Sequence, residues 1–457
     1  MNRVGCIFLF FLGLIFVAML PRMRVDYSMF KNAPSNVANH YNIKSMQTAQ
    51  DGNFTLSKTQ IYPIPNCQNL LINMTSGHWV KKENLEEYAD KRLQIMEEEK
   101  EIWYHLNEFW KKRRVTMSFW RSDGKCGYRV NQKRPPNSTW LLTGSWCDKY
   151  SSRPCCSNVN SGFCSAPSGN NCNCYRCYDT RKIAHAELSK WITTDARCTW
   201  HYYSTEQACD IIESSKYSNI IFAGDSLNRN MFSALMSLLT GDIVSGSLPR
   251  GRLSGSWRKI CTGPERYYWK QCRESPMYLG WGLEKYHEGV IKTCMQNINT
   301  VFKAKRAWIG NLGIFKKEVE TILGQKGSLL VFGCALHINC QPEKFVENYL
   351  TLVLDMINQY YRTKTNDRNE EKWPKLMVTS APNSGLMKPK IFQVSQGSDT
   401  CSNFNRVVRD TCNKIKIPFL DFFPFTTGVF SFDGTHHAYD VNALKVQLFL
   451  NYIASEK

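Results

Sequence analysis

Ser226 stands where an apolar run at 220–223 gives way, through Gly224 and Asp225, to Leu227, Met231, Leu235 and Leu238 at helical spacing. The pattern predicts a strand, a tight turn and a helix. The serine hydroxyl then stands at the carboxyl end of the strand, beside helix N–H groups that can stabilise a developing oxyanion. A serine hydroxyl is a weak nucleophile at neutral pH and needs a base. Near the C-terminus, Asp433-Gly434-Thr435-His436 places a carboxylate and an imidazole three residues apart, on a loop that enters the apolar helical pattern 441–449. Histidine supplies the base, and a carboxylate fixes its tautomer and stabilises the imidazolium that forms. The expected set is Ser226 as nucleophile, His436 as base and Asp433 as orienting acid. Spacing favours His436 over His437. Read singly, Ser226 is a helix cap and Asp433 a turn residue before Gly434; the two blocks together favour catalysis.

Both blocks have to be brought to one edge. After Ser226, buried-strand runs recur at 327–333, 375–381 and 417–422, with a helical pattern at 345–361 between the first two. Strands alternating with helices predict an α/β domain with a parallel sheet, whose ligands gather at the carboxyl ends of the strands. Ser226 and Gly333 both fall at such ends. Further upstream, residues 83–114 carry an approximate helical stripe of Leu, Tyr, Ile and Trp, read as a packing face.

The chain has 457 residues, 43% hydrophobic and 21% charged, an ordinary globular balance that excludes dominant disorder. Residues 4–20 form an uncharged apolar run, read as a retained signal anchor in preference to a cleaved signal peptide. Of 19 cysteines, one lies in that run; the other 18 spread from Cys67 to Cys412, as expected of disulfides in an oxidising lumen. Cys172, Cys174 and Cys177 have zinc-ligand spacing, but no matching second pair follows, so a disulfide staple is expected and no metal. Sequons at Asn53, Asn73 and Asn137 agree with a lumenal body. The net charge of +19 includes basic groups at Lys111 to Arg114, at Arg250 and Arg252, and at Lys303, Lys305 and Arg306. In a lumen this charge faces solvent, or else acidic glycans or the membrane surface, and nucleic acid is excluded as a partner.

Gly224-Asp225-Ser226-Leu227 with Arg229-Asn230, and the closing Asp433-Gly434-Thr435-His436, resemble the two signature blocks of the SGNH, or GDSL-type, hydrolase superfamily. The Asp-Ser-Leu-x-Arg-Asn form is similar to its PC-esterase branch, which includes trichome-birefringence-like polysaccharide O-acetyltransferases and related membrane-anchored animal proteins. The resemblance spans roughly residue 217 to the C-terminus. It implies a three-layer SGNH-type α/β domain with a central, mostly parallel sheet, preceded by a helical and disulfide-rich region. The organisation expected is a cytoplasmic tip and anchor at 1–24, a stem at 25–60, a helical and cysteine-rich lumenal region at 61–215 and the catalytic domain at 216–457.

The resemblance implies a Ser226, Asp433, His436 triad, with Asp225 shaping the turn. The superfamily's Gly-x-Asn-Asp block is absent as written. Gly333 matches its glycine, while Asn339, His337, Asn230 and Arg229 are further oxyanion or substrate candidates. The function implied is O-acetyl transfer to glycan hydroxyls through an acyl-enzyme, with a carbohydrate esterase or a non-catalytic glycan-binding protein as alternatives. No bound cofactor is expected, only an acyl donor such as acetyl-CoA as co-substrate. The acceptor is a glycan or polysaccharide, acidic ones included. A single-pass type II protein of the Golgi or another secretory lumen is expected, with secretion as the alternative.

Overall fold

The structure, a computed structural model, describes residues 67–84, 184–241, 312–364, 371–385, 388, 390–431 and 434–456, with the backbone of short strands between 116 and 179 and of residues 303–307. The expected anchor, the stem, Asn53, Asn137, Asp433, nearly all of the 83–114 stripe and the side chains of the cysteine-rich stretch lie outside the described residues.

Strand β1 (Gly77–Lys81) pairs antiparallel with β2 (Ser189–Thr193), across a long intervening segment. Helix α1 (Thr205–Glu213) follows, opened by a capping box in which the Ser204 hydroxyl accepts from the Gln207 N–H while the Gln207 side chain accepts from the Ser204 N–H. Then come β3 (Asn219–Gly224) and α2 (Ser226–Leu239), the predicted strand and helix. The chain continues through β4 (Lys303–Ala307), α3 (Leu312–Glu320) and β5 (Ser328–Gly333). Pro342–Phe345, a π turn at Val346–Thr351 and α4 (Leu352–Lys364) cover the expected 345–361 helix. Strand β6 (Lys375–Thr379), helices α5 (Lys390–Gln396) and α6 (Ser398–Lys414), β7 (Phe419–Leu420) and α7 (Tyr439–Ser455) complete the order.

Five of these strands form one sheet in the order β4-β3-β5-β6-β7, with every neighbouring pair parallel. Its apolar strands alternate strictly between two cores. Ile220, Phe222, Leu329, Val331, Met377 and Leu420 join one buried cluster with α1, α2 and α7. Ile221, Ala223, Leu330, Phe332, Leu376 and Val378 join a second with α3, α4 and α6. A strand buried on both faces reads as a continuous apolar run, which is why β3, β5 and β6 are legible. Strand β7 is shorter than the run 417–422: Pro418 has no N–H to donate, and Lys416 turns with φ 57°.

The β1–β2 ribbon shares the first of these cores. Trp191 packs edge-on against Trp79 and Phe425, and the Trp79 Nε1–H donates to the Phe425 carbonyl at 2.9 Å. Gln447 of α7 accepts from the Tyr203 N–H at 2.8 Å and donates to the Tyr203 carbonyl at 3.1 Å. Disulfides join Cys67 to Cys198 and Cys340 to Cys401, while Cys334 and Cys412 are buried and free. Asn73 of the expected sequon donates from its amide to the Gln68 carbonyl at 2.7 Å.

The Cys67–Cys198 bond closes a loop of sequence separation 131, so it strongly restricts the unfolded chain. Replacing both cysteines by serine is expected to lower stability by about 3 kcal/mol. Reversible denaturant unfolding of the oxidised protein and of the variant measures this.

Candidate active site

The site is built on the junction of β3 and α2. Register aligns Gly224 with Gly333 across β3 and β5. A Cβ on Gly224 would lie 2.5 Å from the Gly333 carbonyl and 2.6 Å from Asn228 Nδ2, and one on Gly333 would fall on Thr379 Oγ1. Two glycines therefore let three strand ends close under the turn. Asn228 ties them: its Nδ2 donates to the Ala223 carbonyl at 2.9 Å, and its Oδ1 accepts from the Thr379 hydroxyl at 2.8 Å.

Asp225 caps α2, its Oδ1 accepting from the Leu227 N–H at 2.9 Å. Its carboxyl is committed to shaping the turn, and the residue is 2% exposed. Ser226 follows as the first helical residue, half-buried, with the helix N-terminus directed toward it.

His436 reaches it from the other block. His436 Nε2 lies 2.6 Å from Ser226 Oγ, although 210 positions separate them in the chain. With the proton on Nδ1, the serine hydroxyl donates to the Nε2 lone pair, which is the geometry a general base requires. The Ser431 hydroxyl donates to the His436 carbonyl at 2.8 Å and so holds the loop from behind. The next residue, His437, is 1% exposed and packed inside, whereas His436 lines the contact with Ser226.

The remaining candidates have the following places. Arg229 is 1% exposed, and its Nε and Nη2 face Asn230 Oδ1 at 3.4 and 3.3 Å, inside the fold. Asn230 is buried with it. Gly333 meets β6 through Thr379. His337 and Asn339 are exposed on the 335–338 turn, where Asn339 takes φ 56° and its Oδ1 accepts from Gln396 Nε2 at 3.3 Å. The structure thus brings Ser226 and His436 together, and places Arg229 and Asn230 behind the turn.

Several polar residues around the site escaped the sequence reading. Lys388, 4% exposed, donates to the Thr435 hydroxyl at 2.7 Å, next to His436. Gly385 N–H donates to the Gly434 carbonyl at 3.0 Å, and Gln396 donates to the Leu336 carbonyl at 2.9 Å. Gly385 and Lys388 therefore touch the histidine loop, and Gln396 touches the turn after β5. On α7, Lys445 and Asn442 are both buried. Burial pushes the Lys445 ammonium down to about 8, while the charge of Asp225 works the other way. Cys334 is not a rival nucleophile: burial, and then the Asp225 charge, push its thiol far above the usual range. The one signal that could have marked α7 is a lysine inside the apolar pattern 441–449.

Among the described residues there is no cluster of three or more His, Cys, Asp or Glu side chains able to hold a metal ion. None of their helices is long and apolar enough to cross a membrane.

No family model matches the chain. No curated protein matches it either. Two solved structures align with 52% of it: a carbohydrate acetylesterase family member from Sinorhizobium meliloti, 13% identical over 98% of that chain with a TM-score of 0.28, and the native M. smegmatis aryl esterase, 15% identical over 99% of that chain with a TM-score of 0.27. At such similarity neither bears on the chemistry, which rests on the chain's own residues.

Proposed function

We propose that this protein is a membrane-anchored lumenal acyl-ester enzyme that transfers an acetyl group to a glycan hydroxyl through Ser226, on an SGNH-type domain. The observation that carries the reading is the 2.6 Å approach of His436 Nε2 to Ser226 Oγ at the carboxyl edge of a parallel sheet. The acid we assign is Asp433, three residues before the base. The anchor is the apolar run 4–20, and the lumenal compartment follows from cysteine and sequon usage.

In this mechanism Ser226 Oγ attacks the acyl carbonyl carbon of the donor while Nε2 takes the hydroxyl proton. The N–H of Ser226, at the positive end of α2, is the backbone donor to the tetrahedral oxyanion. Collapse expels the donor's leaving group, which receives the proton from His436. An acceptor hydroxyl then enters, gives its proton to Nε2 and attacks the acyl carbon; collapse breaks the bond to Ser226 Oγ, which takes the proton back from Nε2 as the acetylated acceptor leaves. Water in place of the glycan would make the same site an esterase.

The test is direct. The protein incubated with an activated acetyl ester is expected to carry one acetyl group on the Ser226 peptide by mass spectrometry, and a fluorophosphonate is expected to label the same residue. Neither modification at Ser226, with salt-sensitive binding to acidic glycans instead, would assign the chain to glycan binding without turnover. Added glycan acceptors that discharge the acetyl-enzyme faster than water support transfer.

A further inference from the structure

Three buried polar residues outside the expected triad converge on it. Asn442, on the first turn of α7, donates from Nδ2 to the His437 carbonyl at 2.9 Å and to the Ala438 carbonyl at 2.8 Å, the carbonyls of the two residues that follow His436. Its Oδ1 accepts from Lys445 Nζ at 3.2 Å. Lysine only donates, so Lys445 fixes which way the Asn442 amide points. Nδ2 must then face the histidine loop.

The same lysine bears on the serine side. Asp225, the cap on which the Ser226 turn is built, has its Oδ2 buried without a hydrogen-bond partner among the described residues. A buried carboxylate with an open oxygen is costly unless a cation lies near. Lys445, likewise buried, is a cation that the Asp225 charge favours, and its helix α7 shares one core with α2, the helix that Asp225 caps.

We infer that Lys445 and Asn442 are positioning residues for the Ser226 and His436 pair: Lys445 orients Asn442 against the His436 loop and offers a counter-charge to the Asp225 cap of the Ser226 turn. Neither touches the reacting atoms. The inference rests on the reading of Ser226 and His436 as nucleophile and base. Its consequence is that helix α7 sets the distance between the two blocks, because one side-chain relay ties both to it.

The experiment compares the full chain with Lys445→Met, Asn442→Ala and the double variant, following the acylation burst with an activated acetyl ester. Each single change is expected to slow acylation about tenfold, near the value of one buried hydrogen bond, with KM within about twofold and burst amplitude preserved. The double variant should be no slower than the slower single one, because both act through one relay. Wild-type rates in either single variant, or effects that multiply in the double, overturn the inference. If the wild-type chain forms no acetyl-Ser226 at all, the assignment of Ser226 fails instead. The His436 ring resonance, assigned with His436→Asn and recorded in histidine-labelled protein, then decides. A shift in both single variants supports the relay, and an unmoved resonance overturns it.

Discussion

Replacing His436 by alanine is expected to slow formation of the acetyl-enzyme by about four orders of magnitude, with little change in KM. At the 2.6 Å separation the serine proton has a receiver in place before the attack begins. Without the imidazole, Ser226 must lose that proton to water, at a pH far below the one at which a hydroxyl ionises. Ser226→Ala should abolish the acetyl-enzyme entirely. The double variant should release acetate no more slowly than Ser226→Ala alone, because the two groups act as one unit and the oxyanion donor remains in both. Stopped-flow of an activated ester, with mass spectrometry of the Ser226 peptide, gives all three values. Fold loss is not the expected cause of these effects. The His436 backbone is held separately, by Ser431, and the neighbouring loop by Asn442. Thermal unfolding should therefore stay near that of the wild type, and a lowered melting point in parallel with activity would contradict the assignment.

What the sequence made legible follows from burial. Strands β3, β5 and β6 are apolar on both faces because both faces meet a core, so each stands out as a run. Strand β4, Lys303–Ala307, carries three basic residues in five and reads as a charged patch; its place at the end of the strand order explains how so polar a segment is a strand at all. The β1–β2 pairing has no local signal, since its partners meet only through the fold. Ser226 and His436 were legible because each sits in a short block whose residue types announce a turn. Lys445, Asn442, Lys388 and Thr379 were not. Each is a single polar residue whose meaning lies in what it faces, and the partners of Lys388 and Thr379 are 47 and 151 positions away. Asn442 and Lys445 are close in sequence, but the carboxylate that gives the lysine its role lies on another element. The π turn at Val346–Thr351 shifts hydrogen bonds without altering the apolar period, so the expected helix at 345–361 is present with a detail the pattern does not encode.

The turn under the serine should be intolerant of a single methyl group. Gly224→Ala places a Cβ 2.5 Å from the Gly333 carbonyl and 2.6 Å from Asn228 Nδ2, both well inside van der Waals contact. Relief requires β3 to part from β5, or Asn228 to leave the Ala223 carbonyl and the Thr379 hydroxyl. Either movement acts on the residue beside the Asp225 cap. The cost in stability is expected to be about 3 kcal/mol, at the upper end for an overpacked site, since the Gly333 carbonyl is backbone and the Asn228 side chain is held by two hydrogen bonds. Activity should fall further than stability. A displacement of Ser226 by about 1 Å lengthens its contact with His436 beyond a useful hydrogen bond and costs on the order of a hundredfold in acylation. Gly241→Ala is the control: it too strains the backbone, at φ 64°, but a Cβ there meets nothing closer than Thr205 Oγ1 at 3.5 Å. That change should cost about 1 kcal/mol and leave the acylation rate of the folded protein unaltered. Equal acylation rates per folded molecule in Gly224→Ala and the wild type would mean that the approach of the β3 and β5 ends supports the fold alone, and that the position of Ser226 is set elsewhere.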